Sequence, residues 1–305
     1  MLPKRYPIDG SEGYPRTTPM KLIVCGFPRT GTMSTMTPLP PSLHLNPMLG
    51  FNRTHHMIHV VMDPEGCEMA EWTRALDAKN RGDSGSFTKR DWDRLLGDCQ
   101  ACIDYPSALF AADLAQLYPD AKVVMVNRDP DKWYESVSET VAAIHTRPGL
   151  VRKAQRLWCW LLSARTREGA AFWRAIGVAE GNYNHFTEKD KAIAFMLRTY
   201  DECRAVVDEH RRIEWSVQDG WEPLCRHLGV DVPLVQDPVT GNMVTAPFPR
   251  INDRAMFQQN VERGAARMLA EANEVLFGLL GRGAVLGAVG YGAWTLWKMA
   301  AAARR

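Results

Sequence analysis

The chain of 305 residues lacks a dominant charge: 37 Lys and Arg stand against 35 Asp and Glu, a formal net charge of +2. That balance argues against a nucleic-acid partner, which calls for a clustered basic excess. Low-complexity tracts and internal repeats are also missing, so neither a solenoid nor a disordered linker is expected. The first 20 residues contain no apolar h-region and read as a flexible lead-in rather than a signal peptide. The seven cysteines are odd in number and scattered, which speaks against a disulfide framework and for reduced thiols in a cytosol-facing domain. Cys99 and Cys102 form a C-x-x-C without a second pair or a histidine at zinc spacing. His55 and His59 stand at i,i+4 without the glutamate of H-E-x-x-H, so His55, His56 and His59 read as structural or surface histidines and no metal is expected. Asn52-Arg53-Thr54 fits a glycosylation acceptor, a tripeptide common by chance.

What is present starts with KLIVCGFPRTGTMS, residues 21–34. A short apolar run suited to a buried strand leads into Gly26 and Gly31, which have the G-x-x-x-x-G spacing of a phosphate loop. The lysine that normally follows the second glycine is replaced by Thr32. Such loops work because successive backbone N–H groups and a helix start point at one anion. Arg29 offers a bidentate charge-assisted contact, and Thr30, Thr32 and Ser34 offer hydroxyls. An ordinary Gly-containing turn is the competing reading. The helix after the loop is awkward, because Pro38, Pro40 and Pro41 confine it to one turn at most.

Downstream, the spacing predicts helices over 63–77, 91–96 and 107–118, a short strand over 101–104, and a buried strand in AKVVMVN. Strand, helix, strand in this order argues for βαβ units and a mostly parallel sheet within one large α/β core. The AKVVMVN strand delivers Arg128 at its carboxyl end, followed by Asp129 as N-cap and Pro130 at N1. Trp133, Val137, Val141 and Ile144 then mark the buried helix face, with Ser136 at its margin. Open α/β sheets bind ligands at such strand ends. A surface pairing of Arg128 with Asp129 or Asp131 is the plainer alternative. Residues 151–177 are expected to be helical, with a long amphipathic helix over 188–209, a strand over 213–217 and a short helix over 222–228.

The last region changes character. Residues 279–297 carry only Arg282 as charge, end in Trp294 and Trp297, and are followed by Lys298, Arg304 and Arg305. This is close to the ~20 apolar residues of a spanning helix with an aromatic rim and basic anchors. Membrane association is expected, spanning or surface-lying, with a cytoplasmic protein and a packed tail helix as the alternative.

Taken together, the phosphate loop, IDYP at 103–106, YPDAKVVMVNRDP and the pair Trp133/Ser136 resemble the sulfotransferase superfamily. The nearest likeness is to a fungal and invertebrate branch, some of whose members have been described as nicotinamide-dependent epimerases. The resemblance runs in patches over 21–253 and includes HHM, DGWEPLC and FPRIND. It implies a three-layer P-loop NTPase-like α/β fold over 21–253, after a flexible 1–20 and before a C-terminal helical region, 254–305. It implies 3'-phosphoadenosine 5'-phosphosulfate (PAPS) as donor, a small acceptor with a partly apolar body, no metal and no nucleic acid. Pro28, Arg29, Thr30, Gly31, Thr32, Met33 and Ser34 would hold the 5'-phosphosulfate. Arg128 and Ser136 would hold the 3'-phosphate. Arg29 stands where many relatives carry a catalytic lysine. Asp104 stands where cytosolic relatives place a histidine base, and a helix cap is its equal alternative. The proline-rich run replaces the family's first helix, and a late loop toward the adenine-side phosphate is not recognisable, with Arg250 or Arg254 as substitutes. A catalytically inactive, membrane-anchored protein that keeps the fold is the competing function. Nucleotide hydrolysis is disfavoured by the missing lysine, and a dehydrogenase by the missing G-x-G-x-x-G.

Overall fold

The structure is a computed structural model describing residues 16–31, 51, 53–63, 67–142, 149–248 and 254–302. The expectations for the lead-in up to residue 15, Thr32, Met33, Ser34, the proline-rich run, Asn52, Ile144 and Arg250 lie outside the described residues.

The sheet contains β1 (Leu22–Cys25), β2 (Thr54–His55), β3 (Ala101–Cys102), β4 (Lys122–Val126) and β5 (Arg212–Trp215) in the order β2-β3-β1-β4-β5. Every pairing is parallel, with Ile23 opposite both Cys102 and Val123. Strand alternation decides the layers. Ile23, Cys25, Cys102, Val123 and Met125 face one buried cluster, whereas Leu22, Val24, Ala101, Val124 and Val126 face the other. A sheet buried on both faces explains why β1 and β4 read as unbroken apolar runs. The architecture is therefore three-layer α/β.

The helices are α1 (Met57–Met62), α2 (Cys67–Asn80), α3 (Lys89–Leu96), α4 (Ala111–Leu117), α5 (Pro130–Val137), α6 (Leu150–Leu162), α7 (Ala164–Glu180), α8 (Lys189–Val206), α9 (Trp221–Leu228) and α10 (Arg254–Ala302). Met69, Trp72 and Leu76 of α2 and Trp92, Leu95 and Leu96 of α3 are buried as their spacing predicts. Asp129 caps α5, its carboxylate accepting from the Lys132 amide at 2.9 Å, with Pro130 at the first position. An antiparallel hairpin, β6 (Leu234–Gln236) with β7 (Met243–Thr245), lies apart from the main sheet.

The helical stretch expected over 151–177 is realised as two helices, because Ser163 leaves α6 and its hydroxyl accepts from the Thr166 amide at 3.2 Å to cap α7. Two other details differ from the sequence pattern. The segment 107–118 opens as a 3₁₀ turn, Ser107–Phe110, before α4. His55 and His59 do not share a helix: His55 ends β2 and His59 lies in α1.

The chain divides into two compact units, residues 1–147 with 170–259, and residues 148–169 with 260–305. The second contains α6 and most of α10, whose Val261–Thr295 stretch is, among the described residues, the one helix long and apolar enough to cross a membrane. None of its most apolar window is buried. The six cysteines with described side chains are all buried.

Candidate active site

The parallel order turns around β1: the chain adds β2 and β3 on one side and β4 and β5 on the other. Crevices at such reversals open at the carboxyl ends of the strands. All five strand ends contribute here. The 26–31 loop follows β1, His56 follows β2, Asp104 follows β3, Arg128 follows β4, and Val217 follows β5.

The loop is held from below and from the side. Phe27 is fully buried, its ring 5.2 Å from that of Tyr105 and 5.7–5.8 Å from those of Trp133, Phe195 and Tyr200. The Trp133 indole donates to the Pro28 carbonyl at 3.0 Å, tying the loop to α5. The Thr30 hydroxyl donates to the Phe27 carbonyl at 2.7 Å, so its proton closes the turn. Gly31 is required twice over. Its φ is +106°, and a Cβ there would sit 2.4 Å from Cγ2 of Val217.

Arg29 has a left-handed backbone, φ 71°. Non-glycine residues adopt that region at a cost of about 1 kcal/mol or more, and such outliers cluster at functional sites. The turn carries its guanidinium to α5, where Nε donates to Ser136 Oγ at 3.3 Å. Arg128 donates from Nη1 to the Arg29 carbonyl. Desolvation lowers its pKa, while nearby Asp129 works in the opposite direction. The structure thus brings Arg29, Arg128 and Ser136 together, from residues 107 apart in sequence for the Arg29–Ser136 contact. Arg128 thus contacts the loop, with Asp129 as its neighbouring charge.

Asp104 is the second left-handed outlier, φ 66°, and is buried. Its cap alternative is not realised by the side chain: the 3₁₀ turn has no side-chain cap, and the backbone carbonyl of Asp104 accepts from the Ser107 hydroxyl and the Ala108 amide. Oδ1 is buried without a hydrogen-bond partner. Burial pushes the carboxyl pKa up to about 8, against lowering by the Tyr105 amide and the Arg29 charge.

Beside it stands a residue that sequence reasoning passed over. His56 Nε2 is 3.2 Å from Asp104 Oδ2, off the line of a hydrogen bond, and is itself buried without a hydrogen-bond partner. The Ile58 amide donates to His56 Nδ1 at 3.1 Å, which places the proton of the neutral ring on Nε2. Burial, aided by His59, lowers the His56 pKa to about 3, so the close approach to Asp104 is a contact of a neutral ring. The available signal was the adjacency of His55 and His56 at a strand end. Their roles separate only in three dimensions, since His55 turns inward to Glu68 at 3.2 Å and Trp72 Nε1 at 3.2 Å.

Among the described residues no group of three potential ligands could hold a metal. The aromatic stretch 151–200 splits: Phe195 and Tyr200 pack on Phe27, whereas Trp158, Trp160 and Trp173 are exposed.

Two comparisons bear on this arrangement. Residues 21–257 match a family model described as a sulfotransferase domain. The chain is also similar to Ava biosynthesis cluster protein M of Aspergillus versicolor, 31% identical over 229 residues that cover 72% of this chain and 80% of that protein. A loop with two arginines and a serine at the carboxyl ends of a parallel sheet, inside a matched region of this extent, places the chain in the sulfotransferase family.

Proposed function

We propose that the protein transfers a sulfuryl group from PAPS to a hydroxyl or amine of a small, partly apolar acceptor, using a loop of the phosphate-binding kind. The observation that carries this reading is the meeting of Arg29, Arg128 and Ser136 above the β1 and β4 ends, with Asp104 at the end of β3. The residues present suit the donor. The Arg29 guanidinium reaches Ser136, the partly desolvated guanidinium of Arg128 reaches the Arg29 carbonyl, and the cradle at Gly31 admits no side chain. When bound, the donor would supply the sulfuryl group: its sulfur–oxygen bond to the 5'-phosphate would break, leaving the electron pair on the departing 3'-phosphoadenosine 5'-phosphate, as the oxygen or nitrogen of the acceptor bonds to sulfur.

This chain's own residues do the rest. Arg29 neutralises the charge that grows on the phosphate side, a fixed cation that needs no proton. Arg128 and Ser136 hold the 3'-phosphate and set register. Asp104, as carboxylate, accepts the acceptor proton on Oδ1, and a pKa of about 8 matches it to that task near neutrality. His56 Nε2–H donates to the acceptor oxygen from the other side, a positioning role. Its Nδ1 is occupied by the Ile58 amide, which disfavours His56 as the base. The name of the fungal relative, a biosynthesis cluster protein, agrees with a small-molecule acceptor.

The test is nucleotide binding. The unmutated protein should bind 3'-phosphoadenosine 5'-phosphate in the micromolar range and adenosine 5'-phosphate more weakly. Arg128→Ala should weaken the first by ~1.5–3 kcal/mol, the range for charge-assisted hydrogen bonds. Equal affinity of the unmutated protein for the two nucleotides would remove the 3'-phosphate assignment.

We further propose that the protein associates with membranes through α10, its catalytic unit in the cytosol. The support is the exposure of Phe277, Leu280, Val285, Leu286 and Val289 along a helix of spanning length. In fractionation, the full-length protein should be recovered with membranes and a version ending at Asn273 should not. Equal solubility of the two would make α10 an ordinary packed helix.

A further inference from the structure

We propose that α6 is an interfacial helix, lying on an anionic bilayer surface at the foot of the apolar part of α10. The proposal rests on the membrane reading of α10 and adds a second, surface-bound element to it.

Leu150, Ala154, Leu157, Trp158 and Leu161 recur at i, i+4, i+7, i+8 and i+11, which puts them on one face of α6, with Val151 at its edge. In a water-soluble protein that face turns inward. Here it faces out: Leu150 is 87% exposed, Val151 71%, Leu157 58% and Leu161 57%. The buried side chain is Cys159, on the opposite side of the helix. The helix therefore covers its narrow back and, Trp158 apart, leaves the large side chains of its wide apolar face exposed.

Three observations choose a lipid surface as the occupant. The first is position. The Trp158 indole donates to Asn273 Oδ1 at 3.0 Å, and Arg165 lies 3.8 Å from Glu271. Both contacts fall just before Val275, where the exposed apolar side chains of α10 begin. At ~1.5 Å per residue, α6 meets α10 within roughly one turn of the level where a span would leave the headgroups. The second is charge. Residues 148–169 carry five Lys and Arg against one acidic residue, Glu168. Lys153, Arg156 and Trp160 stand at i, i+3 and i+7 along one flank of the apolar face, the arrangement of a helix lying among anionic headgroups. The third is the helix end. Arg167 Nη1 donates to the carbonyls of Trp160 and Leu161 at 2.9 and 3.2 Å, satisfying groups that a helix end would otherwise leave to water.

This placement bears on topology. Residues 148–169 and 260–274 hold seven Lys and Arg, against the three of residues 298–305. The positive side is thus the one that carries α6, which keeps it in the cytosol if α10 spans.

The experiment uses the full chain with Cys67→Ser and a nitroxide on either Leu157→Cys or Val285→Cys, mixed with phosphatidylcholine vesicles with or without phosphatidylserine. Oxygen and nickel-chelate accessibility reports depth. With phosphatidylserine, the label at 157 should move from water to the headgroup boundary, shallower than the label at 285. Lys153→Glu should weaken binding to those vesicles roughly fivefold or more, about 1 kcal/mol per charge near the surface. A label at 157 that stays in water while the label at 285 enters hydrocarbon overturns the α6 proposal and leaves the span standing. Both labels in water overturn both readings. Spin–spin broadening at 157 without vesicles, growing with protein concentration, would assign the face to a second copy of the chain and overturn the lipid assignment.

Discussion

Asp104→Asn should reduce sulfuryl transfer by roughly 10²–10⁴-fold, the usual contribution of a positioned base. Asparagine is the substitution that isolates the charge. It keeps the size of the side chain and is among the few residues at ease in the left-handed backbone that Asp104 adopts. The pH dependence sharpens the expectation. With the carboxyl pKa raised to about 8, the carboxylate forms only as pH climbs through that value. Transfer to a phenol or alkyl alcohol should therefore rise with pH below about 8 and level off above it, and the rise should vanish in Asp104→Asn. Stability should run the other way. Between its ordinary pKa of ~4 and about 8, the folded protein holds a proton that the unfolded chain gives up. The unfolding free energy should fall across that window, and this component of the fall should be missing in Asp104→Asn. Opposite slopes of activity and stability belong to a buried base. If both profiles are unchanged in the variant, Asp104 is structural.

Arg29→Gly separates function from folding in the same way. Glycine accepts φ 71° without strain, so the midpoint of thermal unfolding should stay or rise. Transfer should drop by roughly 10²–10³-fold, the scale seen when one electrostatic stabiliser of a transition state is removed. Arg29→Lys should recover part of it, because the charge returns without the fork that lets Nε reach Ser136. A glycine variant that transfers at the parental rate would take Arg29 out of the chemistry. Loss of fold in that variant would instead make the Ser136 contact a structural brace, a result readable directly by circular dichroism.

Much of the scaffold was legible because it depends on local pattern. The apolar runs of β1 and β4, the Asp129-Pro130 start of α5 and the Trp133/Val137 face all follow from periodicity and capping chemistry, which act over a few residues. The break at Ser163 was less legible, since the apolar pattern continues across it and only the hydroxyl cap of α7 marks it. His56 was missed for a related reason. Two adjacent histidines have the same local signal, and burial sends His55 to Glu68 and His56 to Asp104.

The amino-acid sequence by itself determined the apolar strands β1 and β4, the helices with a periodic buried face and a mostly parallel sheet, and it marked Arg29 as a candidate for one anion and Arg128 with Ser136 for another, whereas β2 and the β6–β7 hairpin carry no such pattern. Spacing along the chain carries that information. The tertiary structure alone decided the orientation of Asp104, the tautomer of His56, the closeness of Gly31 to Val217 and the outward turn of the α6 apolar face. Each of these is a relation between side chains or elements distant in sequence, or a consequence of burial. The free energy of a buried carboxyl or an exposed leucine is set by what surrounds it, and the chain order does not specify those surroundings.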